Sequence, residues 1–321
     1  MDIVASDDPM IDVETIEAGL ADDIEVRSAD MTTVEATVDA AADADGLVVG
    51  VRTPVTARVL DACESLGIVA RAGVGIDNID VAAAAERDVA VTNVPDYCTD
   101  EVATHTVALV LACVRSLGPY DRSVADGDWD FRASSEIHRL RGSTLGFLSF
   151  GPIARRMREQ VRGFDLDVVA HDPYVDAETM ADHDVEGVSY EELLDRSALL
   201  SVNAPLTDET RGMVDGDAFA RLPDHAVVVN TGRGGVVDED ALLAALEAGE
   251  IAGAGLDVFE EEPPTDSPLL DRADVLSSPH AAWYSVEARR DLNESVAANL
   301  RAVLVDGETP PDWIDPDLDW V

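Results

Sequence analysis

Residues 144–157 read TLGFLSFGPIARRM, and this stretch decides the fold. Thr144–Phe150 is a short apolar run of strand type. Pro152–Arg162 has helical spacing, with proline at the first helical position, where its missing N–H costs nothing. A strand that turns directly into a helix is half of a βαβ unit. The turn carries the register of a dinucleotide fingerprint, G-x-G-x-x-G/A, on Ser149, Phe150, Gly151, Pro152, Ile153 and Ala154. In that motif the backbone approaches a pyrophosphate at the second glycine, here Gly151. The third small residue, here Ala154, lets helix and strand pack closely. Ser149 replaces the first glycine, so it either narrows the turn or offers a hydroxyl to phosphate. Asp172 closes the next apolar run, VVAHDPY, about 20 residues on. A carboxylate there accepts bonds from an adenosine ribose and repels a 2′-phosphate, which favours NAD over NADP.

The same alternation extends in both directions. Downstream, strands are expected at Asp167–His171, Ala198–Asn203, Ala226–Asn230, Ala252–Val258 and Val275–Ser278. Helices are expected at Tyr190–Ser197, Asp217–Arg221, Glu239–Ala248 and Val286–Val305, before a tail, Gly307–Val321, rich in Pro, Asp and Trp. Upstream, Ile3–Ala5, Ile24–Arg27, Gly46–Val51, Ile68–Ala72 and Val89–Val94 read as strands. Val13–Leu20, Thr33–Ala42, Thr56–Leu66 and Val81–Arg87 read as helices. A long apolar helix, Glu101–Leu117, follows Thr99 and Asp100, both suitable N-caps. Gly118–Arg141 reads as a polar, irregular surface connection. The fold class expected is α/β: two series of βαβ units, hence two doubly wound parallel-sheet domains.

The 321 residues are enough for two domains. Acidic residues number 66 against 22 basic ones, for a net charge of −44, and every Lys/Arg position is arginine. The acids are spread along a chain that is 46% hydrophobic, which argues for a folded protein over an acidic disordered one. A halophilic protein from a high-salt cytoplasm fits, because at about 1 M salt the Debye length is about 3 Å and self-repulsion is screened. Such a charge argues against nucleic acid and against anionic membranes as partners. The amino terminus shows no signal-peptide pattern, and no apolar run has the length of a membrane span. Cys63, Cys98 and Cys113 are scattered and fit neither a disulfide framework nor a metal site. Cys63 and Cys113 read as core residues, and Cys98 as a residue nearer a cleft.

Three apolar runs end in charged or titratable residues. They are VVVNTGRGGVVDED (227–240) around Arg233, AGLDVFEEEPP (254–264) reaching Glu262, and SSPHAAWYS (277–285) around His280. Ligands of open α/β sheets bind at the carboxyl ends of the strands, so these runs are expected to bring a guanidinium, a carboxyl and an imidazole to one cleft. Reduction of a 2-keto acid requires such a set. Arg233 would grip a carboxylate or carbonyl through its fork. His280 would exchange the proton, and Glu262 would orient it and favour its charged form. Each has a plain alternative. Arg233 could be a strand-end ion pair, Glu262 one of many solvated acids, and His280 a core or surface histidine.

Taken together, these runs resemble the D-isomer-specific 2-hydroxyacid dehydrogenases, and among them the C-terminal-binding-protein-like branch. The resemblance covers nearly the whole chain. It rests on RAGVGIDNID (71–80), NVPDYCTDEVATHT (93–106), the Ser149–Ala154 turn with Asp172, NTGRGGVVD (230–238), LDVFEEEPP (256–264) and SPHAAWYS (278–285). It implies an NAD-dependent enzyme with catalytic Arg233, Glu262 and His280. It implies that backbone amides at Val74 and Gly75 hold the substrate carboxylate, with Arg71 nearby, and that Asp257 bonds the nicotinamide carboxamide. Thr106, Ala204, Pro205, Thr210, Thr231, Gly232, His280 and Ala282 are implied to line the cofactor site with Val74 and the fingerprint residues. Arg52, in VRTPVT, and Trp283 are implied to face the substrate side chain. A solvated surface is the other reading for Arg52, and interface packing for Trp283.

The family architecture implies a flavodoxin-like substrate-binding domain from 1–98 and 286–321, and a Rossmann NAD-binding domain over 99–285. It also implies an interdomain cleft, and a homodimer formed through the NAD-binding domain and the Glu101–Leu117 helix. A metal is not implied. Two rival readings stand beside the leading one. One is a phosphoglycerate dehydrogenase of serine synthesis, favoured by Arg52 but opposed by Trp283 and by the lack of a regulatory domain after residue 321. The other is an NAD(H)-sensing binding protein of the C-terminal-binding-protein type, which would have no need of an acid/base pair.

Overall fold

The computed structural model describes residues 1–21, 24–134 and 136–316, so the end of the expected tail, 317–321, lies outside the described residues. The chain forms two compact units, Met1–Cys98 with Ser285–Val321, and Thr99–Tyr284. The first alternates β1 (Asp2–Ser6), α1 (Val13–Gly19), β2 (Glu25–Ala29), α2 (Val34–Ala41), β3 (Gly46–Val49), α3 (Ala57–Ala62), β4 (Ile68–Arg71), α4 (Val81–Ala85) and β5 (Ala90–Thr92). Its sheet runs β2-β1-β3-β4-β5 with every pairing parallel. β3 and β4 are buried along their whole length, as continuous apolar runs in a sheet covered on both faces must be.

The second unit opens with α5 (Thr99–Val114) and α6 (Leu117–Ala125), then β6 (Thr144–Leu148), α7 (Pro152–Gln160), β7 (Asp167–His171), α8 (Ala177–Asp182), β8 (Glu186–Gly187), α9 (Tyr190–Arg196) and β9 (Leu199–Val202). It closes with α10 (Gly216–Arg221), β10 (Val227–Asn230), α11 (Glu239–Ala248), β11 (Gly253–Leu256) and β12 (Val275–Ser277). The sheet order is β12-β11-β10-β9-β6-β7-β8, again all parallel. The order reverses direction at β6, which is where a doubly wound sheet opens a ligand crevice at its carboxyl edge. α12 (Val286–Arg301) returns the chain to the first unit and packs on α1 and β4. The expected α/β class with two parallel sheets is therefore what the chain forms.

Caps set the registers. Asp12, Thr33, Asp80, Asp176, Asp215, Asp238 and Ser285 each accept a bond from a first-turn backbone N–H, and Ser189 and Glu192 close a full capping box. Three sequence expectations need correction. Thr99 and Asp100 lie inside α5 and do not cap it, because the turn at residues 97–98 already bends the chain into the helix. The long expected helix stops at Val114, where Ser116 adopts a left-handed φ of 50°. A second helix, α6, occupies part of the stretch read as irregular. The short elements α8 and β8 also went unread.

Among the described residues no single helix is long and apolar enough to cross a membrane. Cys63 and Cys98 are buried and Cys113 is partly so. Burial raises the Cys63 thiol and pushes Cys113 up to about 12, so both behave as small core side chains. Cys98, at 3% exposed, is also enclosed by the fold.

Candidate active site

The loops at the carboxyl ends of β10, β11 and β12 carry the three side chains singled out from the sequence, Arg233, Glu262 and His280. β10 ends at Asn230, a buried residue whose side chain shapes the loop that follows. Its Oδ1 accepts from Gly232 N at 3.0 Å, and its Nδ2 donates to Arg233 O at 2.9 Å. This loop holds the half-buried Arg233, whose Nη1 donates to Gly232 O at 2.9 Å. Only glycine fits at 234, because a Cβ there would overlap the Phe259 carbonyl group. That close approach sets the arginine loop against the loop after β11.

The β11 loop carries Glu262. Its Oε1 accepts from Phe259 N at 3.2 Å, and its Oε2 lies 2.8 Å from His280 Nδ1. Burial alone would raise the Glu262 carboxyl. The His280 hydrogen bond and charge, the Phe259 N–H and the Arg233 charge outweigh it and hold the carboxyl below its ordinary range. The sequence-predicted trio is thus gathered at one edge of one sheet.

His280 sits in a left-handed backbone conformation, φ 51°, which costs a non-glycine residue roughly 1 kcal/mol. A dense set of bonds holds it there. His280 N donates to Asp257 O at 2.8 Å. The Asp257 carboxylate accepts from Ala281 N, Ala282 N and Ser278 Oγ at 2.9, 2.9 and 2.6 Å. Asp257 is 1% exposed, so in this structure its carboxylate serves the histidine loop. His105 Nε2 lies 2.8 Å from Ser278 Oγ and extends the network onto α5. His105, Ser278 and Asn230 were not singled out from the sequence. A polar residue closing each apolar run was the available signal for the last two, and the scarcity of histidine for the first.

The β6–α7 turn forms a second cluster on the same edge. Ser149 holds φ 73°, the conformation that favours glycine. Its Oγ donates to Asp172 Oδ2 at 3.0 Å, Phe150 N donates to the same oxygen at 2.8 Å, and Tyr174 N donates to Oδ1 at 2.9 Å. Phe150 places its ring fully in the core, against Phe147 and His183, so only its backbone serves the turn. A Cβ built on Gly151 meets nothing within 4 Å, so the space over the start of α7 is open. Pro152 is exposed, Ile153 half-buried and Ala154 fully buried against the strand. An open turn at a helix start beside an accepting carboxylate suits a dinucleotide.

Other sequence-predicted residues occupy definite places. In the larger unit the Thr106 and Thr231 hydroxyls meet at 2.8 Å, linking α5 to the β10 loop. Thr210 Oγ1 donates to Pro205 O at 2.6 Å beside buried Ala204. Trp283 stacks edge-on with Tyr284, ring centroids 5.4 Å apart. In the smaller unit Arg71 is buried beneath the RAGVG turn, with Nη1 donating to Ala72 O, while Val74 is exposed and accepts from Asn93 Nδ2 at 2.7 Å. Gly75 is half-buried in that turn and Arg52 is exposed. A separate cavity of about 730 Å³, lined in part by Cys113, His138, His225 and Arg272, reaches Gly253 and Asp274 at the amino ends of β11 and β12, the opposite edge from His280.

The chain is similar to known proteins in sequence and in fold. Residues 107–282 match the family described as D-isomer specific 2-hydroxyacid dehydrogenase, NAD binding domain. The chain belongs to that family. It is 40% identical over 298 residues to the D-3-phosphoglycerate dehydrogenase of Mycobacterium tuberculosis, covering 93% of this chain and 56% of that protein. The chain therefore spans about half the length of the curated relatives it matches. Among solved structures it is similar to the TT0316 protein of Thermus thermophilus, with a TM-score of 0.88 and 28% identity over 98% of this chain and 100% of that one. It is also similar to the apo D-mandelate dehydrogenase of Rhodotorula graminis, with a TM-score of 0.85 and 27% identity over 98% and 97%.

Proposed function

We propose that this chain is an NAD-dependent oxidoreductase interconverting a 2-keto acid and the corresponding D-(R)-2-hydroxy acid. The contact between His280 Nδ1 and Glu262 Oε2, under the influence of the Arg233 charge, carries the reading. Glu262 occupies Nδ1, which leaves Nε2 to exchange the substrate proton. The imidazolium gives that proton to the keto oxygen, and in reverse the neutral ring takes it from the hydroxyl. Arg233 grips the substrate carboxylate or polarises its carbonyl. NADH, when held there, would supply the hydride for C2. Asp172 and the open turn at Gly151 would hold that cofactor.

In the smaller unit, buried Arg71 beneath the Val74–Gly75 turn supports an anion-holding role for those amides. Residues 1–98 and 286–321 then form the substrate-binding domain, and 99–285 the NAD-binding domain. The HAAW run at 280–283 supports the C-terminal-binding-protein-like branch. The excess of 66 acids over 22 bases, without lysine, supports a high-salt cytoplasm. A homodimer through the NAD-binding domain is supported by α6, which has no buried residue, and by exposed Leu117, Val124, Trp129 and Phe131 nearby.

A second reading takes a phosphorylated substrate. Its support is the 40% identity to a protein named D-3-phosphoglycerate dehydrogenase, together with the exposed Arg52. One assay decides: NADH oxidation at about 2–3 M KCl, where surface charge is screened. The panel is glyoxylate, hydroxypyruvate, phenylpyruvate, 2-ketoisocaproate and 3-phosphohydroxypyruvate. Turnover of an unphosphorylated acid is the expected result, and turnover confined to the phosphorylated one would install the second reading. Tight NADH binding with no turnover at all would instead indicate a dinucleotide sensor. The same KCl series, followed by circular dichroism, should show structure lost well below about 1 M; a fold indifferent to salt would remove the halophilic reading.

A further inference from the structure

His105 stands outside the trio of Arg233, Glu262 and His280, yet it reaches the loop that carries His280. It lies on α5, whose next residue, Thr106, ties the helix to the β10 loop through Thr231. His105 Nε2 is 2.8 Å from Ser278 Oγ, and Ser278 Oγ is 2.6 Å from Asp257 Oδ1. A serine hydroxyl has one hydrogen, and a carboxylate only accepts. The Ser278 hydrogen therefore points at Asp257, and toward His105 the hydroxyl is an acceptor. Nε2 of His105 must then carry a hydrogen, which fixes the neutral ring as its Nε2–H tautomer. That nitrogen lies 3.8 Å from Asp257 Oδ1, too far for a hydrogen bond, so the serine mediates between them. Asp257, at 1% exposure, accepts from Ser278 Oγ and from the backbone N–H groups of Ala281 and Ala282, just past His280. Those bonds hold the left-handed bend at His280.

We propose that His105 is a positioning residue for His280. Its Nε2–H fills the acceptor side of the Ser278 hydroxyl and so keeps the serine hydrogen on Asp257 Oδ1. The buried carboxylate then stays turned to Ala281 N and Ala282 N, and the His280 ring stays at its Glu262 contact. Without the His105 donor the serine hydroxyl is free to rotate, Asp257 loses its shortest bond, and the bend at His280 loosens. The inference rests on the acid/base reading of His280 and deepens it: a helix outside the three loops helps to aim the imidazole.

Kinetics and side-chain NMR test this together. Keto-acid reduction at saturating NADH and about 2–3 M KCl compares the unaltered chain with His105→Leu, His105→Gln and Ser278→Ala. His105→Leu should lower kcat about 3- to 10-fold, the range of one neutral hydrogen bond, with the KM for the keto acid nearly unchanged. His105→Gln, whose amide can donate to the same hydroxyl, should recover most of that rate. Adding His105→Leu to Ser278→Ala should cause no further fall, because the effect runs through the serine. Nitrogen NMR of the histidine rings at about pH 8.5, above the ordinary imidazole range, should show His105 as the Nε2–H tautomer. The His280 ring signals should shift in His105→Leu and stay in place in His105→Gln. An unchanged rate in His105→Leu, an additive double variant or an Nδ1–H tautomer at His105 would each overturn the proposal. An equal loss in His105→Leu and His105→Gln would do the same, leaving His105 a packing role only. If the unaltered chain turns over no acid of the panel, the proposed function falls, and the His280 ring signals alone decide whether His105 positions that side chain.

Discussion

Glu262, beyond β11, and Asp172, beyond β7, are half-buried carboxylates at the carboxyl edge of the same seven-stranded sheet, and they are partnered in opposite ways. Glu262 meets a titratable imidazole at 2.8 Å and the field of an arginine. Asp172 meets only neutral donors: a hydroxyl and two backbone N–H groups. The first arrangement can pass a proton through its partner, because an imidazole both takes up and gives a proton. The second is a carboxylate acceptor held in place by neutral donors. On the proposed function, one sheet edge supplies a proton exchanger and a recognition group from the same side-chain chemistry, and the choice of partner makes the difference.

The contrast can be broken most directly at the exchanger. His280→Ala should lower kcat by about 10²–10⁴, the usual contribution of a positioned acid/base, with NADH affinity changed less than about threefold. Parallel loss of NADH binding would show that the two clusters are not separate in function. Asp172→Asn should do the converse. Loss of charge-assisted bonds should weaken NADH about 10- to 100-fold while kcat at saturating NADH stays near its original value. A fall in kcat of similar size would erase the distinction.

The smallest effect concerns stability. The Glu262 carboxyl is held below its ordinary range, so its charged form stabilises the fold. That contribution is complete above the unfolded value, about 4.3, and is lost as pH falls through the lower folded value. Thermal melts should therefore show the unaltered chain ahead of Glu262→Gln at neutral pH, with the gap closing on acidification below about pH 4. A gap independent of pH would mean that the pair stabilises by packing alone.

Much of this was legible in the sequence because period and position carry it. Buried parallel strands leave unbroken apolar runs, and Arg233, Glu262 and His280 stand just past three of them. The turn at Ser149 and the acid at Asp172 follow from spacing. What escaped was of two kinds. α6 has no buried residue, so no apolar stripe marks it, and Gly118 and Pro119 read as breakers. Pro119 falls in its first turn, where an N–H has no helical partner to lose. The second kind is the identity of the atom that does the work. The sequence marks Phe150 as part of a cofactor turn, but its ring is core and only its N–H serves Asp172. Asp257 likewise spends its carboxylate on the loop that holds His280 in a left-handed bend, a bond pattern that spacing alone does not encode.

Past α12 the chain lays Trp313 in an antiparallel bridge opposite Thr92, and Ile314 N donates to Val91 O at 2.9 Å while its side chain is 5% exposed. β5 is the last strand on its side of the smaller sheet. An outermost strand with open backbone groups is a template on which other chains can add. In this molecule a short clasp from its own far end fills that position, so self-association by strand addition is blocked there even when concentrated salt has silenced the repulsion between acidic surfaces.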